Sequence, residues 1–260
     1  MIDFHNHIIP NLDDGSKSID MSISMLKEAE SQGITDIVNT VHYQHPKMEK
    51  KDTSYKFIIN EINKFQKIVY DNNINIKIHP ASEVFFKFNL TEILDNPITT
   101  FGNGKYMLIE FQRLFFPKGY EDEIFKIQLK GITPIIAHPE RYRGIQKDLN
   151  LAKEWIDRGY LIQIDCASII GGFGKETKMA AIELLKNGLC HLIGSDSHNN
   201  KNRNFLLKPA FLELEKIIDS DSISIIKNNS KKILNGEAPL SYSKQHKKGS
   251  FFSKISSYFK

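Results

Sequence analysis

The pattern that most restricts this chain is a repeated join: an amphipathic stretch ends on a glycine, and a short apolar, β-branched run begins at once. It occurs at Gln32-Gly33-Ile34, Lys130-Gly131-Ile132, Arg158-Gly159-Tyr160 and Asn187-Gly188-Leu189. Glycine suits the left-handed position that closes a helix, so each join reads as a helix end followed by a strand start. These and similar runs predict seven strands: Ile2 to Phe4, Ile34 to Val41, Ile76 to Ala81, Met107 to Phe111, Ile132 to Ala137, Leu161 to Asp165 and His191 to Ser195. Between them lie helical periods, at Ile19, Ile23 and Leu26, at Ile58, Ile62, Phe65 and Val69, and at Leu207, Phe211, Leu214 and Ile218. Alternating strands and helices predict an α/β protein with a mainly parallel sheet covered by helices. An open doubly wound sheet gathers its site at one crevice. Here polar residues follow nearly every strand, which favours a closed β/α barrel.

At 260 residues, with 40% hydrophobic and 25% charged content, the chain is long enough for one such barrel as a single domain. The net charge of +4 is unevenly placed, because positive residues crowd after Tyr242. A basic tail is therefore expected rather than a nucleic-acid-binding body. No apolar run is long enough to span a membrane, and the chain opens on a strand instead of a secretion signal, so a cytoplasmic location is expected. Cys166 and Cys190 have no disulfide-framework spacing and read as buried free thiols. Beyond Pro239 the strand and helix pattern gives way to Ser, Lys and Gln, dividing the chain into a catalytic domain over 1–240 and a basic, aromatic tail over 241–260. In the tail, Phe251, Phe252, Ile255, Tyr258 and Phe259 fall near one helical face beside Lys247, Lys248, Lys254 and Lys260. That composition suits both peripheral contact with an anionic membrane face and a disordered basic end.

The residues at the strand ends carry the chemistry. His5-Asn6-His7 places two imidazoles on one side of an extended chain, since residues two apart share a face. Asp13-Asp14-Gly15 follows in the first loop, and His42, Glu83, Glu110 and His138 follow the second to fifth strands. Asp196 and His198 follow the last. The C-terminal rim of a β/α barrel brings such positions to one point. Glu110 lies in the apolar run Met107-Leu108-Ile109-Glu110-Phe111, where a charge is costly unless paired or bound to a cation. Asp14 also fits a turn or cap before a helix at Ser18. The nine candidate ligands His5, His7, Asp14, His42, Glu83, Glu110, His138, Asp196 and His198 exceed what one ion needs, so two or three ions sharing carboxylates are expected. An imidazole and carboxylate set without thiolate suits Mn²⁺, Fe²⁺ or Zn²⁺. His45, His79, His191 and His246 lack the strand-end context or a partner and read as ordinary.

Arg141 lies three residues beyond His138 and Arg203 five beyond His198. Guanidinium groups beside a metal cluster are shaped to grip phosphate, so Arg141 and Arg203 are the candidate catalytic residues together with Asp196. A cysteine-based phosphatase needs an Arg six residues after its nucleophile, where Cys166 has Gly172 and Cys190 has Asp196. Gly171-Gly172-Phe173-Gly174-Lys175-Glu176 lacks the spacing of a nucleotide-phosphate loop.

The His5-Asn6-His7 opening, Asp13-Asp14-Gly15, Thr40-Val41-His42, Glu83, Ile109-Glu110-Phe111, Ala137-His138-Pro139-Glu140-Arg141 and Ser195-Asp196-Ser197-His198-Asn199 together resemble the polymerase and histidinol phosphatase (PHP) superfamily. Within it they are most similar to the capsular and exopolysaccharide protein-tyrosine phosphatases of Gram-positive bacteria, over about Met1 to Gly236. The resemblance implies a distorted seven-stranded TIM-like (β/α)7 barrel of the PHP fold with three metal ions, commonly Mn²⁺. It implies that His5, His7, Glu83 and Asp196 hold one ion, that Glu83, Glu110 and His138 hold a second, and that Asp14, His42 and His198 hold a third, with Arg141 and Arg203 on the phosphate. The implied substrate is a phosphotyrosine in the C-terminal tail of a membrane-associated tyrosine autokinase that controls polysaccharide synthesis, which places the protein at the inner membrane face. A small-molecule phosphatase, such as one for histidinol phosphate, is the alternative that the same metal cage serves. Two departures stand out: Val41 where the family usually has Pro, and Gln112-Arg113-Leu114-Phe115-Phe116 in place of a short Pro-containing loop.

Overall fold

The computed structural model describes residues 1–242, which include Ser241 and Tyr242 of the expected tail. Tyr242 is buried with its hydroxyl donating to the Leu185 carbonyl at 3.0 Å, while the Lys and Phe positions expected to touch a membrane lie outside the described residues. The strands are β1 (Ile2–Asn6), β2 (Asp36–Tyr43), β3 (Lys77–Phe85), β4 (Tyr106–Glu110), β5 (Thr133–Ala137), β6 (Leu161–Asp165) and β7 (Leu192–Gly194). Helices α1 (Ile19–Ser31), α2 (Tyr55–Asp71) and α3 (Tyr120–Leu129) cover the first half. They are followed by α4 (Arg143–Lys147), α5 (Asn150–Asp157), α6 (Cys166–Ile170), α7 (Lys175–Lys186), α8 (Leu207–Leu214) and α9 (Ser220–Leu234). Gly33, Gly131, Gly159 and Gly188 all take positive φ, between 73° and 81°, as the four joins require.

All seven strands are parallel and lie in sequence order, β1 to β7. The seam between the two outer strands closes beyond β7, by a parallel bridge between Asn6 and Ser197. Asp196 N–H donates to the His5 carbonyl at 2.7 Å and His7 N–H to the Ser197 carbonyl at 2.8 Å. Buried Asp3 completes the seam by accepting the Ser195 amide and hydroxyl, each at 2.8 Å. The expected seven-stranded barrel is therefore what forms. Its inner apolar cluster includes Phe4, Val38, Leu108, Ile135 and Leu192, while a separate, larger cluster fills the space between sheet and helices.

Several strand ends shift by one or two residues from expectation, and two larger differences have physical reasons. β3 does not stop at Ala81 but runs to Phe85, because Ser82, Glu83 and Val84 keep pairing with Val41, His42 and Tyr43. The apolar period ending at Ile218 outlasts α8, which stops at Leu214; Ile218 is still buried, but it precedes Asp219, the N-cap of α9, whose carboxylate accepts the Ser222 amide. Cys166 and Cys190 are buried free thiols, as expected. Among the described residues, no helix is long and apolar enough to cross a membrane.

His191, just before β7, is buried with its Nδ1 facing the Ile162 amide at 3.2 Å. Burial pulls its pKa down from 6.5 to about 4. Between those values the unfolded chain takes up a proton that the folded chain refuses, so this residue costs stability as pH falls through the window, by about 3 kcal/mol in full. A His191→Gln variant, compared by urea unfolding at fixed metal concentration, should lose about 3 kcal/mol less than the parent between pH 7 and pH 4. Parallel pH profiles would rule this contribution out.

Candidate metal centre

The site is built at the C-terminal ends of the strands. His5 and His7 project from β1 and its extension so that their Nε2 atoms stand 3.3 Å apart. Each ring is held from behind: His5 Nδ1 lies 3.0 Å from Gln163 Oε1, and His7 Nδ1 lies 2.7 Å from Asp13 Oδ2. Because both partners are acceptors, each Nδ1 donates a hydrogen bond and each Nε2 points inward at the cluster, the usual orientation of histidines that hold a cation. His198 is fixed in the same way, its Nδ1 donating to the Asp196 carbonyl at 2.9 Å.

Glu83 stands at the middle of the cluster. Its Oε1 lies 2.9 Å from His138 Nε2, and its Oε2 lies 3.0 Å from His42, 3.2 Å from His5 and 3.4 Å from His7. The register that pairs His42 with Glu83 puts the two at the same level of the rim. Asp14 Oδ1 lies 3.1 Å from His42 and 3.3 Å from His198, so the least secure of the expected ligands joins the cluster. Glu110 approaches His138 at 3.7 Å from the solvent side. His138 and Asp196 both take positive φ, 35° and 49°, a conformation that side chains other than glycine adopt at a cost and that concentrates at functional sites.

Asp196 divides its two oxygens. Oδ1 faces His5 and His7, each at 3.5 Å, and Oδ2 accepts from Arg141 at 2.6 Å and Arg203 at 2.5 Å. Arg141 also pairs with Asp165, and Arg203 donates a second bond to the Asp196 carbonyl at 3.2 Å. All nine expected ligands and both arginines thus meet at one rim.

Electrostatics follow from this crowding. Burial opposes charge on Glu83 and Asp196, yet His5 and His42 hold Glu83 well below the carboxylate range, and Arg141, His198 and Arg203 do the same for Asp196. Burial alone would lower the pKa of His5, but Glu83 and Asp196 raise it to about 9. Glu110 goes the other way, raised by burial and by the charge of Glu83.

Several buried polar atoms here make no hydrogen bond: Asp14 Oδ1, both ring nitrogens of His42, Glu110 Oε2, His138 Nδ1 and Asp196 Oδ1. Buried, unsatisfied acceptors cost a free energy of order 1–3 kcal/mol each, so their convergence needs a cation to explain it. Four overlapping groups have ligand atoms close enough to share an ion: His7 with Asp14, His42 and His198; His5 with His7 and Asp196; His5 with Glu83 and His138; and His42 with Glu83 and Glu110. The residues present fit metal ions.

The sequence reading missed several members. Asp165 closes β6 and pairs with Arg141, and the strand-end rule that selected His138 selects it too when applied uniformly. Gln163, two residues earlier on the same face, orients His5. Lys47 pairs with Asp14, and Arg113 lines the mouth with Glu110 and His138. His45 is not ordinary: its ring stacks on His42 at 4.5 Å and its Nε2 lies 3.8 Å from Glu110. His79 pairs with Asp36 away from the cluster, and His246 lies outside the described residues.

Residues 1–235 match the model of the capsular polysaccharide synthesis family CpsB/CapC. The chain belongs to that family. Among its CpsB/CapC relatives, tyrosine-protein phosphatase YwqE of Bacillus subtilis is 32% identical over 238 residues, spanning 91% of this chain and 92% of its own. Tyrosine-protein phosphatase CpsB of Streptococcus agalactiae is 30% identical over 233 residues, spanning 85% and 90%. A crystal structure from work on YwqE of B. subtilis and CpsB of Streptococcus pneumoniae, described as metal-dependent tyrosine phosphatases, has the same fold, with a TM-score of 0.88 at 30% identity over 94% of this chain and 98% of that one. The motif resemblance to the capsular phosphatase branch is borne out by these matches.

Two glycines let the histidines sit where they do. A Cβ on Gly15 would overlap the backbone and Cβ of His7, and one on Gly194 would come within 2.6 Å of His5 Cβ and 2.9 Å of Gln163 Nε2. Gly194→Ala should therefore displace His5, cost roughly 1–3 kcal/mol of stability by overpacking and lower the metal retained after desalting, measured by plasma mass spectrometry on protein that keeps its circular dichroism. Full metal retention would show that the His5 position does not matter to binding.

Proposed function

We propose that this chain hydrolyses phosphotyrosine in the tail of a partner bacterial tyrosine autokinase that controls capsular or exopolysaccharide synthesis, with Mn²⁺ as its ion. As a CpsB/CapC protein it is an enzyme, a metal-dependent protein-tyrosine phosphatase. The observation that carries the reading is the divided carboxylate of Asp196, which joins a histidine-rich cation cluster to two arginines through one side chain. A phosphoryl group held by those arginines lies directly against the metal cluster.

His5, His7, Glu83 and Asp196 would hold one ion, Glu83, Glu110 and His138 a second, and Asp14, His42 and His198 a third. The contacts of Glu83 with four histidines support its shared position. Imidazole and carboxylate donors without a thiolate suit Mn²⁺, and also Fe²⁺ or Zn²⁺. When bound, such ions supply Lewis acidity toward phosphoryl oxygens and make water more acidic.

The chain's own residues do the rest. Arg141 and Arg203 each give one nitrogen to Asp196, and the Nε of each is buried with no hydrogen-bond partner among the described residues. Those N–H groups are free to donate to phosphate oxygens and to offset the charge that builds on them in an in-line displacement. Asp165 and Asp196 hold Arg141 in place, so little reorganisation is needed when the phosphoryl group arrives. A phenolate leaving group has an intrinsic pKa near 10, so it needs less help from a proton donor than an alkoxide does.

The kinase partner is membrane-associated in this reading, and the Lys- and Phe-rich composition after Tyr242 supports peripheral contact with the inner face of the membrane. Deleting the residues after Tyr242 should move the protein from the membrane fraction to the supernatant; equal distribution of both forms would remove the membrane role.

The reaction itself is tested with Mn²⁺-loaded protein on a phosphotyrosine peptide and, side by side, on histidinol phosphate. Peptide turnover should be abolished by chelation and by His138→Ala. It should fall by roughly 10²–10³ in Arg141→Ala, the scale for losing one preorganised donor. Preference for histidinol phosphate would move the protein to small-molecule metabolism instead.

A further inference from the structure

The glycine-rich stretch Gly171-Gly172-Phe173-Gly174 has no phosphate-loop spacing, yet it sits beside the phosphate arginines. It is a tight turn between α6 and α7. Gly171 and Gly172 both donate to the Ala167 carbonyl, at 3.0 and 2.7 Å, and Gly174 donates to Gly171 at 3.2 Å. Gly171 and Gly174 have φ of 96° and 92°, and a Cβ on Gly172 would press on the Ala167 carbonyl at 3.3 Å. The turn is therefore closely set by its glycines, and it delivers the Phe173 ring to a fixed place.

That place is the face of Arg141. The Arg141 Cζ lies 4.0 Å from the ring centroid and the Arg203 Cζ lies 5.9 Å from it, so the ring is within cation–π range of both guanidinium groups. Ion pairs to Asp165 and Asp196 hold Arg141 by an edge, and a pair to Asp196 holds Arg203 likewise. An edge contact fixes one nitrogen but leaves the guanidinium plane able to tilt. An aromatic ring within cation–π range of the guanidinium limits that freedom.

We propose that Phe173 is a positioning residue that sets the planes of Arg141 and Arg203, so that their unpaired Nε–H groups face an incoming phosphoryl group. The proposal rests on the reading that these arginines grip phosphate. It predicts that the aromatic face of residue 173, more than its bulk, governs phosphate affinity.

Full-length, Mn²⁺-loaded Phe173→Leu, Phe173→Met and Phe173→Trp variants test it, with metal content checked in each. In the two aliphatic variants, inorganic phosphate measured by calorimetry should bind about 5- to 10-fold more weakly, the range for losing a partly desolvated cation–π contact. kcat/KM for the phosphotyrosine peptide should fall in parallel, while bound metal changes by less than about twofold. Phe173→Trp, which keeps an aromatic face, should restore both constants to within about twofold of the parent. Unchanged phosphate binding in Phe173→Leu and Phe173→Met overturns the proposal, as does a Trp variant as weak as they are, which would assign the effect to loop shape. If the parent binds phosphate but turns over no peptide, the phosphatase reading fails while the comparison of phosphate constants still decides the role of Phe173.

Discussion

The structure depends on the seam that closes seven strands into a barrel. Asp3 of β1 accepts both the amide and the hydroxyl of Ser195, and the backbone on either side then exchanges bonds between His5, His7, Asp196 and Ser197. Without that closure, His5 and His7 would lie at one edge of an open sheet and Asp196 and His198 at the other. With it, residues almost two hundred positions apart share one set of ligand atoms. The seam is itself polar and buried, and every bond in it is a buried bond that would cost the desolvation of its groups if left unmade. Burial raises the Asp3 pKa to about 6 against the opposing hydrogen bonds from Ser195 and Asn6. The same residue that makes the barrel possible is thus held under electrostatic tension.

That tension recurs through the site. Glu83, Asp196, Asp165 and Glu140 are buried carboxylates within one region, and burial together with the charge of Asp165 pushes Glu140 to about 7. Arg141 draws its own pKa upward from Asp165, Asp196 and Glu140, against its desolvation. Two backbone positions, His138 and Asp196, add conformational strain of the order of 1–3 kcal/mol each. Such a cluster does not stabilise a fold. It is tolerated because a continuous apolar layer between sheet and helices supplies the stability, and because cations and an anionic substrate complete the charge pattern.

How much of this was legible in the sequence follows from what each feature depends on. The strand count, the parallel order and the residues that cluster as candidate ligands were legible because each depends on local pattern: a glycine join, a β-branched run and a polar residue at its end. His45 was not, since it follows no strand directly and reaches Glu110 only through the turn after β2. Gln163 was not, because an uncharged residue inside a strand shows its role only once the register sets it behind His5. Asp165 is legible by the same rule, as the polar residue that ends the run Leu161 to Asp165. The splitting of the Asp196 oxygens between histidines and arginines is a matter of side-chain direction, which no spacing rule contains. The close approach of Gly15 to His7 and of Gly194 to His5 is likewise tertiary.

The two positions singled out by the motif resemblance, Val41 and the loop after Glu110, each have a defined structural setting. Val41 is fully buried and pairs with Ser82, inside a β2–β3 pairing that continues without interruption to Tyr43. That continuation is what carries His42 level with Glu83. The loop after Glu110 is anchored from inside: Phe116 packs against Phe111, Tyr120, Tyr142 and Trp155, with ring centroids 5.2 to 5.6 Å away, and the Arg113 carbonyl accepts the Arg143 amide at 3.0 Å. With its ends fixed in this way, the loop leaves Leu114 and Phe115 largely exposed and directs Arg113 to the mouth of the site. The candidate metal centre is thus built on strands held by the seam, Val41 among them, whereas the second departure stands on a loop pinned by aromatic packing. Loop and cluster meet at Tyr142, whose ring packs against both Phe116 and His138 and whose hydroxyl accepts the Phe111 amide and donates to the Ala137 carbonyl, so a change in the aromatic packing of the loop reaches His138.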